Sequence, residues 1–345
     1  MRDVPDRASV LDVVRAHPLC AETPLALLQQ PVTPAPGVYV RSNFETPAAH
    51  ADWSIVISGD VEHVTRVTLD ALAAMPQHEL LMTMECAGNG RLGMDPVPEG
   101  EPWQYGAVST TRWRGVSLAT LLAQAVPART AVEVLACGAD AGPRDDATGI
   151  VRFERALPLD VAMHPDTLVA THMDGDPLTA DHGAPVRLVV PNWYGMASVK
   201  WLAGVQLLSA PYTGYFQQKR YVYDVDGDVR PVSRALVKSM IVSPMPQQTT
   251  TPQCTVRGWA WSGSGAITHV DVAVNSRWHR ATLSAPASPY AWTPFSLEVA
   301  LPTGNVMLRS RATDATGATQ PEAIVWNRLG YGNNAVRAIP VLVRS

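Results

Sequence analysis

Apolar and polar positions change rhythm near residue 240 of the 345-residue chain. Before that point, helix-like and strand-like segments alternate. Thr68 opens a helix-like stretch that runs to Met75, and an extended segment over 79–85 then delivers Cys86 at its end. Leu118–Ala125 carries apolar residues at helical spacing, with Ser117 as the expected N-cap. Residues 132–137 and 186–190 are short runs rich in β-branched side chains and read as buried strands. Asp174-Gly175 predicts a tight turn between an extended run over 167–173 and the strand after it. The stretch over 223–246, with its Asp-Gly, prolines and serines, reads as the passage between two domains. Beyond it come only strand-like runs, over 255–261, 269–275, 295–301, 306–313 and 336–343, separated by turn residues. That spacing predicts a β-sandwich. The expectation is an α+β domain over residues 1–235 followed by a β-sandwich over residues 236–345, with no internal repeat.

Length and composition agree with two packed cores: 345 residues, 46% of them apolar and 17% charged. A net charge of -4 argues against a nucleic-acid partner, which would require a basic face. No apolar run approaches the roughly 20 residues that a spanning helix requires. The amino terminus, MRDVPDRASV, mixes acids and bases and lacks the apolar segment of a secretory signal. A cytoplasmic location is expected, or a periplasmic one if a leader has been removed. The four cysteines, Cys20, Cys86, Cys137 and Cys254, are far apart and form no CxxC pair. This excludes a disulfide framework, a zinc knuckle and a covalently attached c-type haem, and leaves room for one lone metal ligand.

The most informative segment is Met84-Glu85-Cys86-Ala87-Gly88-Asn89-Gly90-Arg91, an extended run that enters a glycine-containing turn and presents a thiol. Taken alone, Cys86 reads as a buried free cysteine. His182 alone reads as a partly solvated or capping residue, and Arg187 as one that snorkels to the surface. Arg41 and Tyr221 alone read as an ion pair and a packing residue. Lys200 is more telling, because a lysine inside the apolar stretch over 199–208 requires a partner or an exit to water.

In context, Cys-Ala-Gly-Asn followed by a basic residue resembles the metal-binding loop of the sulfite oxidase family. Further segments resemble that family in the same order: Tyr39-Val40-Arg41, Trp103, Gly106 to Trp113, Gly138-Ala139-Asp140, Met173 to Leu178, Asp181 to Arg187, and Ser198-Val199-Lys200-Trp201-Leu202. Gly258-Trp259-Ala260-Trp261-Ser262-Gly263, Trp326-Asn327 and Gly330 resemble its carboxy-terminal dimerisation domain. The likeness runs from about residue 35 onward.

The resemblance implies a molybdopterin-binding domain and an immunoglobulin-like β-sandwich. It implies Mo-molybdopterin as cofactor, with Cys86 as the protein's thiolate on the metal, a soft ligand suited to it. Asn43, Asp140, His182, Arg187, Ser198 and Lys200 would hold the cofactor; a planar guanidinium and a point-charge ammonium both suit phosphate oxygens. Arg41, Arg91, Tyr221 and Trp103 would surround a small oxyanion, sulfite, which is oxidised to sulfate. Electrons would pass to an external acceptor, a cytochrome or oxygen, and the protein would be a homodimer. Three positions depart from the family pattern. Gly90 stands where many members have a second arginine, Asn43 where a histidine is common, and Leu329 where animal and plant enzymes have an arginine. Two other readings remain: reduction of an S-oxide or N-oxide, and a non-catalytic β-sandwich binding protein with a relic cofactor domain.

Overall fold

The computed structural model describes residues 10–344. The amino-terminal stretch read above for a targeting signal lies, except for Val10, outside the described residues. Strands dominate what is described. The α-helices there are Leu69–Ala74, Leu118–Ala125, Leu159–Ala162 and Tyr215–Gln218, so the expected α+β mixture is corrected to a sheet-rich fold with few helices. Proline limits two of them: Met75 before Pro76 is extended (ψ 160°), and Val126 before Pro127 adopts a left-handed φ of 55°. Thr68 caps its helix through its hydroxyl, which accepts from the Ala71 N–H at 3.2 Å. Ser117 occupies the N-cap position but its hydroxyl makes no capping bond; the Leu118 N–H donates across to the Thr167 carbonyl instead.

Two sheets frame the amino-terminal part. One runs in the order Asp176–Pro177, Leu168–Met173, Val108–Ser117, His78–Glu85, with Arg187–Val189 also pairing with Leu168–Met173. The other runs Thr65–Thr68, Ser54–Gly59, Leu202–Leu208, Glu133–Pro143, Ile150–Pro158. The expected Asp174-Gly175 turn closes a hairpin with Met173 opposite Asp176, and both turn residues have positive φ. Between the two sheets lies a core built from Ile55, Ile57, Leu121, Leu122, Val186, Leu188 and Trp201, all at most 1% exposed.

The stretch expected to be a passage between domains is folded. Val222–Val225 and Asp228–Pro231 form a hairpin about Asp226-Gly227, and Lys238–Ser243 is an edge strand of a four-stranded sheet. That sheet, Lys238–Ser243, Gln253–Trp261, Thr293–Ala300, Thr282–Leu283, shares one apolar core with a second: Thr249–Thr250, Ala338–Val343, Gly304–Asp314, Ile267–Val274, Arg277–Arg280. The tryptophans of the Gly258–Gly263 motif do not face outward. Trp259 stacks on Trp292 at 5.0 Å, and their indoles donate to the Leu28 and Pro31 carbonyls. These rings dock the carboxy-terminal sheets onto the amino-terminal part.

Candidate active site

Cys86 is placed by the strand before it. His78–Glu85 pairs with Val108–Ser117 up to Glu85 opposite Val108, and the Cys86 N–H extends the ladder by donating to Ala107 O at 2.8 Å. The chain then turns sharply, with Gly90 at φ 90°, a conformation that a β-carbon disfavours. Gly90 therefore answers a backbone requirement of the turn. At Gly88 a β-carbon would lie 2.6 Å from the Arg91 guanidinium, so the turn and the arginine beneath it are packed as one unit. Glu85 anchors the loop from below: its carboxylate accepts from Asn89 Nδ2 (3.0 Å), Lys238 Nζ (2.7 Å) and Trp261 Nε1 (2.9 Å).

Two pockets meet at this sulfur. Arg41, Asn43, Cys86 and Tyr221 line both of them. The inner pocket adds Asp140, His182, Arg187, Ser198 and Lys200, and the outer adds Arg91 and Trp103. All eleven site residues read from the sequence are thereby brought together.

The inner pocket is buried and basic. Arg187 donates to the backbone oxygens of His182 (3.1 Å) and Ser198 (2.8 Å) and lies 4.9 Å from the Trp113 ring, so it does not snorkel. Burial pulls it down to about 10, which leaves it charged at neutral pH. Lys200 Nζ donates to Ser42 Oγ (2.7 Å) and Asp181 O (2.8 Å), the partners its position required. Burial, then Arg187, push its pKa down, and Asp140 opposes them. His182 shares hydrogen bonds with Thr179 Oγ1 (2.9 Å) and the Val38 carbonyl (3.2 Å). Ser198 Oγ accepts from the Val190 N–H at 3.0 Å. Asp140 reaches the pocket from a bulge, a register shift between Cys137 and Ala141 that interrupts the pairing with Ile150–Pro158 over residues 138–140. Burial raises its pKa, opposed by Lys200.

Buried Asp140 Oδ1 and Arg41 Nη1 have no hydrogen-bond partner. A polar group so placed requires one, and here both face a pocket. Among the described residues no cluster of three or more His, Cys, Asp or Glu could hold a metal alone. A metal on Cys86 must then bring its other ligands with it. A buried thiol, a basic cradle and unpaired polar atoms together fit an anionic cofactor that carries its own metal.

The outer pocket is the mouth. Tyr221 is buried, accepts from Asn43 Nδ2 at 3.2 Å and stacks on Tyr331 at 5.2 Å. Burial raises its hydroxyl to about 12, against the pull of Arg41, so it keeps its proton. Trp103 is 1% exposed and forms a wall. Leu329 is buried in the core, and its carbonyl accepts from Arg91 Nε (3.2 Å) and Nη2 (3.0 Å). Arg328 turns away to pair with Asp224 at 2.7 Å. No strand includes residues 327–333, so Arg328 and Leu329 diverge within irregular chain. Arg15, Arg144, Arg220 and Tyr331 also line the mouth and escaped the sequence reading. Arg220 adjoins a chosen tyrosine, and Arg144 is followed by two aspartates that give it the look of a solvated turn.

Residues 43–216 match the family described as an oxidoreductase molybdopterin binding domain, and residues 230–343 the Mo-co oxidoreductase dimerisation domain. Mitochondrial sulfite oxidase of Homo sapiens is 33% identical over 371 residues, covering 99% of this chain and 67% of that protein. The chain belongs to the sulfite oxidase family. It is a molybdopterin-dependent oxidoreductase, as relatives in that family are. An NADH nitrate reductase of Solanum lycopersicum is 31% identical, with 94% of this chain covering 40% of that protein. The sulfane dehydrogenase SoxCD of Paracoccus pantotrophus superposes with a TM-score of 0.85 at 28% identity, over 99% of this chain and 91% of that one. The family's fold thus extends through both pairs of sheets.

Proposed function

We propose that this chain oxidises sulfite to sulfate, sulfite and water giving sulfate, two protons and two electrons that leave to an external acceptor. The observation that carries the reading is Cys86 at the junction of a buried basic pocket and an arginine-lined mouth. Asn43, Asp140, His182, Arg187, Ser198 and Lys200 hold the cofactor, and Cys86 is the protein's ligand to its molybdenum. The bound cofactor supplies the two-electron redox chemistry and the oxygen exchange that side chains lack. Arg41, with one nitrogen unpartnered, binds and orients the anion. Arg91 adds positive charge while its carbonyl bonds hold it still. Tyr221 retains its proton and donates a hydrogen bond to a substrate oxygen, and Trp103 limits entry of water.

The carboxy-terminal pair of sheets is read as an immunoglobulin-like sandwich that carries a homodimer contact. The matched dimerisation domain supports this, and light scattering that shows only monomer removes it. The activity is tested by sulfite-dependent reduction of ferricyanide with molybdenum content measured on the same sample. Robust turnover is expected; a fully loaded sample that does not turn over sulfite overturns the proposal.

A further inference from the structure

Five guanidinium groups line the outer pocket: Arg15, Arg41, Arg91, Arg144 and Arg220. Three are committed. Arg15 pairs with Glu101 at 2.8 Å, Arg220 with Asp146 at 3.2 Å, and the nitrogens of Arg91 donate to the carbonyls of Leu329 and Glu101. Among the described residues, Arg41 and Arg144 form no ion pair with a carboxylate, and each has a buried nitrogen without a partner, Nη1 and Nε respectively. The remaining carboxylate of the mouth, Glu99, is exposed at its rim.

Arg144 follows the strand Glu133–Pro143 and is held rigidly. Its guanidinium lies 5.0 Å from the Phe44 ring and 5.4 Å from the Phe216 ring, and Nη2 donates to Asn43 Oδ1 at 2.8 Å. Asn43 in turn donates to the Tyr221 hydroxyl at 3.2 Å. A hydrogen-bonded edge thus runs from Arg144 to the tyrosine beside Cys86. Asparagine performs this relay because its amide both accepts from Arg144 and donates to Tyr221.

We infer that Arg144, from the loop after the strand Glu133–Pro143, binds the oxyanion substrate together with Arg41. The inference rests on the proposed turnover of a small oxyanion and narrows it to a doubly charged one. Two unpaired cations face a shared pocket, and burial together with the neighbouring Arg41 disfavours the charge on Arg144. A dianion relieves both costs, and planar guanidinium groups match its oxygens.

The test uses cofactor-loaded Arg144→Met and Arg144→Lys proteins. Three quantities are read: KM and kcat for sulfite, the Kd of sulfate by calorimetry, and the ionic-strength dependence of kcat/KM. Arg144→Met is expected to raise KM and the sulfate Kd together by roughly 10- to 100-fold. It should also leave kcat within about threefold and flatten the salt dependence, while Arg144→Lys recovers part of the affinity. A purely structural role would not flatten the salt dependence. If Arg144→Met does not fold, Arg144→Gln decides the case, and its sulfate Kd must still rise. Unchanged KM and sulfate Kd overturn the inference. If the parent protein binds sulfate without oxidising sulfite, the proposed activity fails and the sulfate titration alone judges Arg144. A parent protein that binds no sulfate overturns the inference directly.

Discussion

Replacing Lys238 with methionine tests how the cysteine loop is held. Lys238 and Glu85 are 153 positions apart, pair at 2.7 Å, and expose only 7% and 1% of their side chains. Removing one partner of such a pair leaves a buried charge uncompensated and costs about 3–5 kcal/mol. Glu85 keeps two donors, Asn89 Nδ2 at 3.0 Å and Trp261 Nε1 at 2.9 Å, and methionine preserves most of the lysine stem's packing. The lower end, about 3 kcal/mol, is therefore expected. For a chain of this size that corresponds to roughly 4 °C in Tm. Scanning calorimetry on cofactor-free protein measures it without the contribution of ligand binding to apparent stability. The double variant Glu85→Gln/Lys238→Met carries no orphaned charge and should regain about half of the loss. A Lys238→Met protein that melts within about 1 °C of the parent would refute the reasoning, because the pair would then hold nothing that water does not supply equally well.

Cys86→Ser should abolish turnover while the near-UV circular dichroism of the fold is kept, since oxygen replaces sulfur without added bulk; full sulfite turnover would break the assignment of the ligand. Arg41→Met should raise the KM for sulfite by roughly 10-fold or more, and an unchanged KM would place Arg41 outside the site. Asp140 has a folded pKa raised by burial above the ordinary 3.8, so its contribution to stability is present below that value and lost as pH rises through the folded one. Cofactor-free Asp140→Asn should accordingly gain stability over the parent at pH 8 compared with pH 4, and equal melting differences at the two pH values would contradict the assigned shift.

Much of the inner pocket was legible because its residues sit in short contiguous segments. Gly138-Ala139-Asp140 and Ser198 to Leu202 each carry their chemistry within five positions. The mouth was less legible, since Arg15, Arg144 and Tyr331 converge from segments with no local mark. Lys238 was hidden inside a stretch read as a connection. Its Asp-Gly and prolines mark a tight hairpin in the fold, and composition alone does not separate a hairpin from a linker. Both helices read from the sequence are present, as Leu69–Ala74 with Thr68 and Met75 as its caps and as Leu118–Ala125. Ser117 stands at the N-cap position read for it, but its hydroxyl makes no capping bond.

The latch over the cysteine loop comes from the far end of the chain. Arg91 reaches back to Leu329, the Gly332 N–H donates to Ala87 O at 2.7 Å, and Asn333 Nδ2 donates to Gly90 O at 2.8 Å. During synthesis from the amino end, Cys86 emerges some 250 residues before these contacts can form. Until then the loop is held from within its own domain, by Asn89 bonded to Glu85 and to the Ala107 N–H. A ribosome that stalls before residue 329 leaves the cysteine loop without any of these three contacts.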